Sequence, residues 1–294
     1  MKLVKILTMF FLTLAFVTTS CTKEEDKTQN INLNLDGLTN LGPDFVYEGW
    51  IIVDGTPMTT GTFTVDDNGA LSKSVFSLDK TNLNKATKFV LTIEPKSDND
   101  PKPSNTKYLV GVFNGNIANV NTSIVGDFSN ATGNYILATP TNGASSNEKS
   151  GIWWVNPTGM TPVAGLNLPS LSNGWKYEGW VVIDGIPVST GTFTNTSATD
   201  EAAPYSGSLP LPAPNGDNGF FPGEDFLKNA PSGLSFPLNI AGGTAVISIE
   251  PFPDNNSKPF KLKPLVGKIP SDAADHALYK MDNKSNFPKG TINR

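Results

Sequence analysis

The chain has 294 residues with 22 basic and 27 acidic side chains, so its net charge at pH 7 is −5. Without the first twenty residues, which contain Lys2 and Lys5 and no acid, 20 basic residues remain against 27 acidic ones and the net charge is −7. Nucleic acids and anionic membrane surfaces are bound by basic faces, so this balance argues against both kinds of partner. Charged residues make up only 17% of the chain, and 27 Gly and 23 Pro favour many short strands and turns over long helices.

Residues 1–20 have the pattern of a secretory signal peptide. Lys2 and Lys5 precede an apolar run, Ile6 to Val17, that is too short to span a bilayer comfortably. The run is followed by Thr18-Thr19-Ser20-Cys21, and Cys21 is the only cysteine of the chain. This segment resembles a bacterial lipobox, although Thr18 stands where leucine is usual. We therefore expect cleavage before Cys21 and lipidation of Cys21 with palmitate-type chains. The alternative is an ordinary secreted protein with one stray cysteine.

Residues 21–30 are polar and lack any periodicity, which predicts a flexible tether behind the lipid. The run Lys23-Glu24-Glu25-Asp26 resembles the acidic surface-export tag of Bacteroidetes lipoproteins, and a solvated linker explains it equally well. The expected location is the bacterial outer membrane, with the periplasmic and the exterior face both left open.

A long internal repeat organises the rest of the chain. The stretch Tyr47 to Thr64 returns as Tyr177 to Thr194, with Tyr-Glu-Gly-Trp, Asp-Gly, Pro and Thr-Gly-Thr-Phe-Thr identical in both copies. Most of the other positions exchange one apolar side chain for another. Two copies of this length indicate two copies of one structural unit.

Apolar residues alternate with polar ones in most segments of both copies, which predicts strands. We expect an all-β protein of two tandem antiparallel β-sandwich-like domains. The predicted boundaries are residues 31–120 for the first repeat, 121–162 for a bridging segment and 163–294 for the second repeat. The second repeat carries an insertion at about residues 195–239 that is rich in proline and glycine. Four large side chains of the strands are predicted core residues, equivalent in pairs: Trp50, Phe63, Trp180 and Phe193.

Few residues are suited to catalysis or to metal binding. His276 is the only histidine, so neither a Ser-His-Asp arrangement nor a zinc site has the parts that it needs. Three carboxylates recur in both copies, namely Glu48/Glu178, Asp54/Asp184 and Glu94/Glu250, and this duplication favours turn capping and local ion pairs over acid–base chemistry. We expect no enzymatic activity, no cofactor and no metal.

A site specific to this protein is expected where the two copies differ. The insertion and the bridging segment contain the aromatic residues Trp153, Trp154, Phe220 and Phe221, which form the candidate binding surface. Loops on a rigid β-scaffold are a usual place for binding residues. The alternative is that both segments merely cover the interface between the domains.

The strings Trp50…Gly55-x-Pro57…Gly61-x-Phe63 and Leu91-Thr92-Ile93-Glu94-Pro95, followed by Leu109-Val110-Gly111, resemble the extracytoplasmic C-terminal domain of anti-sigma-K factors. The second copy repeats the signature from Trp180 to Gly267. The resemblance implies a small β-sandwich-like domain outside the membrane. The sigma-binding helical domain and the transmembrane helix of those regulators have no counterpart here, so the resemblance does not imply that this chain holds a sigma factor.

Three functions are compatible with the sequence. The leading hypothesis is a non-enzymatic extracytoplasmic lipoprotein that serves as an interaction or structural module, with an unknown protein or glycan partner. The second is a carbohydrate-binding surface protein, which requires exposed, coplanar aromatic rings. The third is an envelope sensor that acts through a separate anti-sigma regulator.

Overall fold

The computed structural model describes residues 26–98, 100–143, 145–208, 221–253, 256–284 and 286–294. The predicted signal peptide, the lipidation site Cys21 and the aromatic residue Phe220 lie outside these ranges. The described chain is all-β, which confirms the predicted fold class. No helix within these ranges has the length and apolar character needed to cross a bilayer.

Nineteen strands, one short helix and three 3-10 turns make up the described secondary structure. The strands are β1 (Thr28–Asp36), β2 (Phe45–Val53), β3 (Thr56–Phe63), β4 (Val75–Asp79), β5 (Lys88–Pro95), β6 (Lys107–Asn114), β7 (Ile117–Asn121), β8 (Thr132–Tyr135), β9 (Gly151–Trp153), β10 (Val155–Asn156), β11 (Val163–Ala164), β12 (Leu166–Asn167), β13 (Trp175–Ile183), β14 (Ile186–Phe193), β15 (Gly223–Asp225), β16 (Thr244–Pro251), β17 (Leu265–Lys268), β18 (Tyr279–Asn283) and β19 (Lys289–Asn293). The helix is α1 (Lys80–Lys85), and the 3-10 turns are Thr122–Ile124, Pro140–Asn142 and Glu148–Ser150.

Two large antiparallel sheets contain most of these strands. The first has eight strands in the order β3-β2-β5-β6-β7-β19-β1-β4, and the second has seven in the order β12-β8-β18-β17-β16-β13-β14. Two small ladders, β10-β11 and β15-β9, complete the structure. The repeated stretch forms the hairpin β2–β3 in the first sheet and β13–β14 in the second.

The two hairpins have the same turn and the same bulge. Asp54 and Asp184 take φ of +50° and +49°, and each is followed by a glycine with positive φ. Two consecutive positive φ values define the tight turn that matches the twist of a β-hairpin, and Asp-Gly adopts it readily. The pairing register shifts at Gly49/Trp50 and at Gly179/Trp180, so both copies carry the same irregularity.

The two sheets exchange one strand with each other. Strand β8 follows β7 in the chain but pairs with β18 and β12 of the second sheet. Strand β19 follows β18 but pairs with β7 and β1 of the first sheet. Each sheet therefore contains a strand contributed by the other half of the chain, at the same place in the strand order.

This exchange corrects the predicted domain boundaries in two places. The bridging segment 121–162 is not a separate connector, because β8 lies inside the second sheet. Residues 289–293 do not belong to the second repeat, because β19 lies inside the first sheet. The rings of Phe128 and Phe287 meet edge to face at 5.4 Å just before these two exchanged strands.

One continuous core joins the two sheets. Most of the buried apolar residues of both halves belong to a single cluster. At its centre, the ring of Tyr108 on β6 lies 5.5 Å from Trp175 on β13 and 5.7 Å from Phe260. The indole N–H of Trp175 donates to the carbonyl of Lys107 at 3.0 Å. The two repeats are thus packed as parts of one body rather than as two independent domains.

The two sheets are closed in different ways. In the first, the edge strands β3 and β4 approach each other, with the rings of Phe63 and Phe76 6.4 Å apart. Among the described residues, the second sheet has no strand equivalent to β4. The insertion and the segment after β8 take that place: β15 pairs with β9 and contacts the edge strand β14.

Candidate functional site

The tryptophans of the repeat are structural in both copies. Trp50 and Trp180 are each only 2% exposed, and Phe63 and Phe193 are also buried. The indole N–H of Trp50 donates to Thr92 Oγ1 at 2.9 Å, and that of Trp180 donates to Ser248 Oγ at 2.8 Å. A buried indole needs such a partner, and both copies supply it from the neighbouring strand.

The duplicated glutamates hold loops in place. Glu94 Oε1 accepts the backbone N–H of Ser104 at 2.9 Å, and Glu250 Oε1 accepts that of Phe260 at 2.8 Å. In each copy the bonded amide lies ten residues after the carboxylate, so both glutamates fasten the loop that follows the strand. Burial raises the pKa of Glu94. These contacts are structural, as the duplication of the residues suggested.

The second pair of duplicated glutamates stabilises the bulge. Glu48 accepts a hydrogen bond from the hydroxyl of Thr59, and Glu178 accepts one from the hydroxyl of Ser189. Each hydroxyl oxygen accepts the N–H of Gly61 or Gly191 at 3.0 Å. The same three-part contact therefore supports the irregular step of each hairpin.

The proposed aromatic binding surface is wrong for Trp153 and Trp154, and Phe220 lies outside the described residues. Trp153 is 4% exposed and Trp154 is fully buried, while Phe221 packs against a small cluster with Ile136 and Ala138. Trp153 donates its indole N–H to Asp225 Oδ1 at 2.8 Å, and its ring covers Gly223. These rings are used to attach the insertion to the body, so they offer no platform on which a sugar could stack.

Trp154 fills a space that the first copy fills with its own side chain. In the first copy, the ring of Phe89 lies over Gly49, with its Cζ 2.9 Å from where a Cβ would sit. The equivalent of Phe89 in the register is Ala245, which leaves that space open. Trp154 enters it, with Nε1 2.7 Å from the same point above Gly179, and donates to Thr190 Oγ1 at 3.3 Å. The bridging segment thus completes the core of the second sheet.

A group of buried carboxylates fastens the insertion. Asp225 is fully buried and accepts hydrogen bonds from the backbone N–H of Thr141 at 2.7 Å and from its hydroxyl. Glu224, also fully buried, accepts from Ser206 Oγ. Burial raises the pKa of Glu224 to about 8 and that of Asp200 to about 7, and the repulsion between these two groups adds to the effect on Glu224.

Three segments that distinguish the second copy meet at one end of its sheet. The first is Ser145–Ser150, the second is Pro237–Asn239 at the end of the insertion, and the third is the loop 269–278 between β17 and β18. The corresponding turn of the first copy, between β6 and β7, contains only Gly115 and Asn116. Between the three segments lies a pocket of about 420 Å³, here called the His276 pocket.

Hydrogen bonds fix the walls of the His276 pocket relative to one another. Ser150 Oγ donates to the carbonyl of Phe226 at 2.7 Å and accepts the N–H of Leu238 at 2.9 Å. The N–H of Ile240 donates to the carbonyl of Lys149 at 2.9 Å, and the N–H of His276 donates to that of Leu137, also at 2.9 Å. A pocket bounded by such contacts is largely pre-formed, as small-molecule sites usually are.

The polar side chains of the pocket still have hydrogen-bonding capacity for a ligand. Glu148 accepts the N–H of Thr139 at 2.9 Å and that of Ser146 at 3.2 Å, and its side chain is 12% exposed. His276 Nε2 lies 3.8 Å from Glu148 Oε2, too far for a direct hydrogen bond, and the imidazole is half exposed. Asp275 Oδ1 lies 3.5 Å from His276 Nδ1. Within the described chain, the ammonium of Lys149 makes no ion pair or hydrogen bond.

Backbone strain is concentrated at this pocket. Among the described residues, six non-glycine residues have positive φ, and Asp54 and Asp184 are explained by their hairpin turns. Three of the other four line the pocket: Ser145 (+57°), Asn147 (+58°) and His276 (+55°). Such conformations cost free energy and recur at functional sites.

A second concave surface lies between the two repeats. It has a volume of about 350 Å³ and is lined by the loop Asn40–Phe45 on one side and by Pro251, Pro253 and Phe260 on the other. Asp44 is its only charged lining residue, and both walls are loops that the two repeats have in common. The His276 pocket is larger, more polar and specific to the second copy, so it is the stronger candidate.

The sequence pointed to part of this site. The insertion and the bridging segment were expected to build it, and they do contact each other through β15 and β9. The loop 269–278 was missed, although its signal was present: the first copy needs two residues where the second uses ten. The residues that the structure describes contain no group of three side chains suited to a metal ion.

Comparisons with protein-family models, with curated proteins and with solved structures find no match to this chain. The resemblance to the anti-sigma-K domain therefore stays a hypothesis based on the motifs quoted above.

Proposed function

We propose that this chain is a lipid-anchored, non-enzymatic binding module on the outer membrane of a bacterium, and that the His276 pocket is its binding site. The observation that carries the proposal is the convergence of three segments, all peculiar to the second copy, on one polar pocket. The glutamates and tryptophans that both copies share have internal partners, so they are assigned to the scaffold.

The proposed anchor follows from the signal-peptide pattern that ends at Cys21. A protein held in this way keeps its binding domain in the solvent next to the membrane. The tether ends before β1 begins at Thr28, and not at residue 30 as the sequence predicted. The variant Cys21→Ala is expected to leave the membrane fraction and to lose labelling by radioactive palmitate. Retention of the variant in the membrane fraction would contradict the anchor and leave the pocket as a separate question.

The only histidine of the chain gives a direct test of the binding site. Residues 22–294, which retain every described residue, are purified without a histidine tag, so that His276 supplies the only imidazole signals in a proton–carbon NMR spectrum. Four pools are added at millimolar concentration: the amino acids other than histidine, dipeptides without histidine, neutral monosaccharides and short dicarboxylic acids. We expect at least one pool to shift the His276 signals. If no pool shifts them, the binding function assigned to this pocket is wrong.

A further inference from the structure

The His276 pocket contains groups of both charges that are not paired with each other. Glu148 and Asp275 supply negative charge, and Lys149 supplies a positive charge. Lys149 directly follows Glu148 in the chain, yet no ion pair joins the two side chains. Among the described residues, His276 is the one basic side chain within 4 Å of the Glu148 carboxylate. Opposite charges that line one cavity without neutralising each other can each meet a charge of the ligand.

The carboxylate of Glu148 is oriented before any ligand arrives. Two backbone N–H groups hold its two oxygens, and each oxygen has a further lone pair. A rigid carboxylate loses little entropy on accepting a hydrogen bond from an ammonium group, and such charge-assisted bonds are among the strongest in proteins. On the positive side, Lys149 can meet a carboxylate as a point charge.

Apolar surface in the pocket is limited. Pro237 and Leu238 are its apolar lining residues, and no Phe, Tyr or Trp side chain takes part in the lining. A sugar that binds without a ring to stack on would depend on hydrogen bonds alone, whereas a small dipolar molecule can use both charges of this lining. The volume of about 420 Å³ is within the usual range for small-molecule sites.

We infer that the His276 pocket takes a small zwitterion, of the size of a free amino acid or a dipeptide, with its ammonium group at Glu148 and Asp275, beside His276, and its carboxylate at Lys149. This inference rests on the proposed function, since it names the ligand class of that same pocket.

Capped ligands test the two ends separately and need no change to the protein. The amino acid that shifts the His276 signals most is compared by calorimetry with its N-acetyl derivative, which lacks the ammonium, and with its amide, which lacks the carboxylate. Each cap is expected to weaken binding at least about tenfold, because each removes one charge-assisted contact. Capped forms that bind as well as the free amino acid would overturn the inference.

Two variants then locate the two ends. Glu148→Gln is expected to weaken the free amino acid strongly and to have little effect on its N-acetyl derivative. Lys149→Met is expected to weaken binding of the free amino acid strongly and to have little effect on binding of its amide. The matched controls Asp272→Asn and Lys280→Met change exposed charges outside the pocket lining and should leave binding unchanged. Thermal unfolding of each variant shows whether the fold is intact, and equal losses for both capped forms in an intact variant would contradict the assigned orientation.

The outcomes separate the ligand class from the function. If the monosaccharide or dicarboxylic-acid pool shifts His276 and the amino acid and dipeptide pools do not, the zwitterion is wrong while the pocket remains a binding site. If no pool shifts His276, the proposed function itself fails. If amino acids bind without shifting His276, the site lies elsewhere and both statements fail.

Discussion

The two repeats of this chain use the same hairpin but fill the space beside it differently. In the first, Phe89 on β5 covers Gly49 from within the sheet. In the second, the equivalent position is Ala245, and the ring comes from Trp154 in a distant segment. This difference shows how a second copy can recruit an additional segment into its core. The recruited segment is continuous in the chain with Ser145–Ser150, so the segment that fills this core also forms a wall of the His276 pocket.

The hydroxyl groups beside these rings follow the same pattern. Thr60 Oγ1 in the first copy is buried without a hydrogen-bond partner among the described residues. Its equivalent in the second copy, Thr190, accepts the indole N–H of Trp154. An unpaired buried hydroxyl is costly, so the second arrangement satisfies a group that the first leaves unsatisfied. The shared hairpin therefore accommodates either ring beside this hydroxyl, Phe89 in the first copy or Trp154 in the second.

Among the changes proposed here, removal of the exchanged strand β19 is expected to reduce the stability of the fold most. Without residues 289–294, the first sheet loses the strand between β7 and β1, and the contacts of Arg294 with the carbonyls of Leu83 and Ala86 are also lost. We expect the truncated chain to lose cooperative thermal unfolding, as followed by circular dichroism. The control Lys289→Ala, which changes one exposed side chain, should unfold like the parent. A truncated chain that keeps the parent's melting temperature would show that the strand exchange is not needed.

Exchange of the two buried rings sharpens the comparison. Trp154→Ala should lower the free energy of unfolding by about 3–5 kcal/mol, because it leaves a large cavity in a packed core. Adding Ala245→Phe to this variant restores the ring that the first copy uses, so the double variant should recover on the order of 1–2 kcal/mol by refilling the space. Chemical denaturation of the two variants and the parent measures both numbers. A double variant that is no more stable than Trp154→Ala would mean that the two rings do not occupy equivalent space.

A smaller change in stability is expected when the pH is varied, because the second copy contains the buried carboxylate of Glu224, which the first copy lacks. Burial raises the pKa of Glu224 to about 8, above the usual value of 4.5. Below pH 4.5 the group is protonated in both the folded and the unfolded chain. Between these two values the unfolded chain releases the proton and the folded chain keeps it, so stability falls as the pH rises, by at most about 1.4 kcal/mol per pH unit from this group.

The variant Glu224→Gln tests this dependence. It removes the titrating proton while keeping a similar shape, so its stability should fall less than that of the parent between pH 5 and pH 8. Glu48→Gln changes a glutamate of the first copy and serves as the control. Parallel stability profiles for Glu224→Gln and the parent would contradict the assignment.

Much of the scaffold could be predicted from the sequence, because its central hairpin occurs twice in the chain. The positions of the strands, the Asp-Gly turns and the buried Trp50 and Trp180 follow from alternation and repetition. The strand exchange could not be predicted, because β8 and β19 follow equivalent strands and either pairing satisfies their short sequences. The burial of Trp154 had a signal that was overlooked: Phe89 becomes Ala245, so the second core lacks a ring that some other segment must provide.

The candidate site was predictable only in outline. The difference in length after Phe193 showed that the second copy carries extra chain, but not which part of it would be buried. Adjacent tryptophans at 153 and 154 suggested an exposed surface as readily as a core, and the choice depended on contacts with Asp225 and Thr190 that are distant in sequence. His276 had no sequence neighbour that marked it, since Glu148 reaches it only through the fold.

The central claim is that the shared parts of the two copies are scaffold and that the unlike parts form the binding site. The most direct test is a residue-by-residue map of backbone amide shifts on residues 22–294, recorded with the pool that changes the His276 signals. The changes should be concentrated at Ser145–Ser150, Leu238–Asn239 and Asp275–His276, with Gly115 and Asn116 of the first copy unaffected. Changes concentrated in the groove between Asn40–Phe45 and Phe260, or spread equally over equivalent residues of both copies, would contradict the claim.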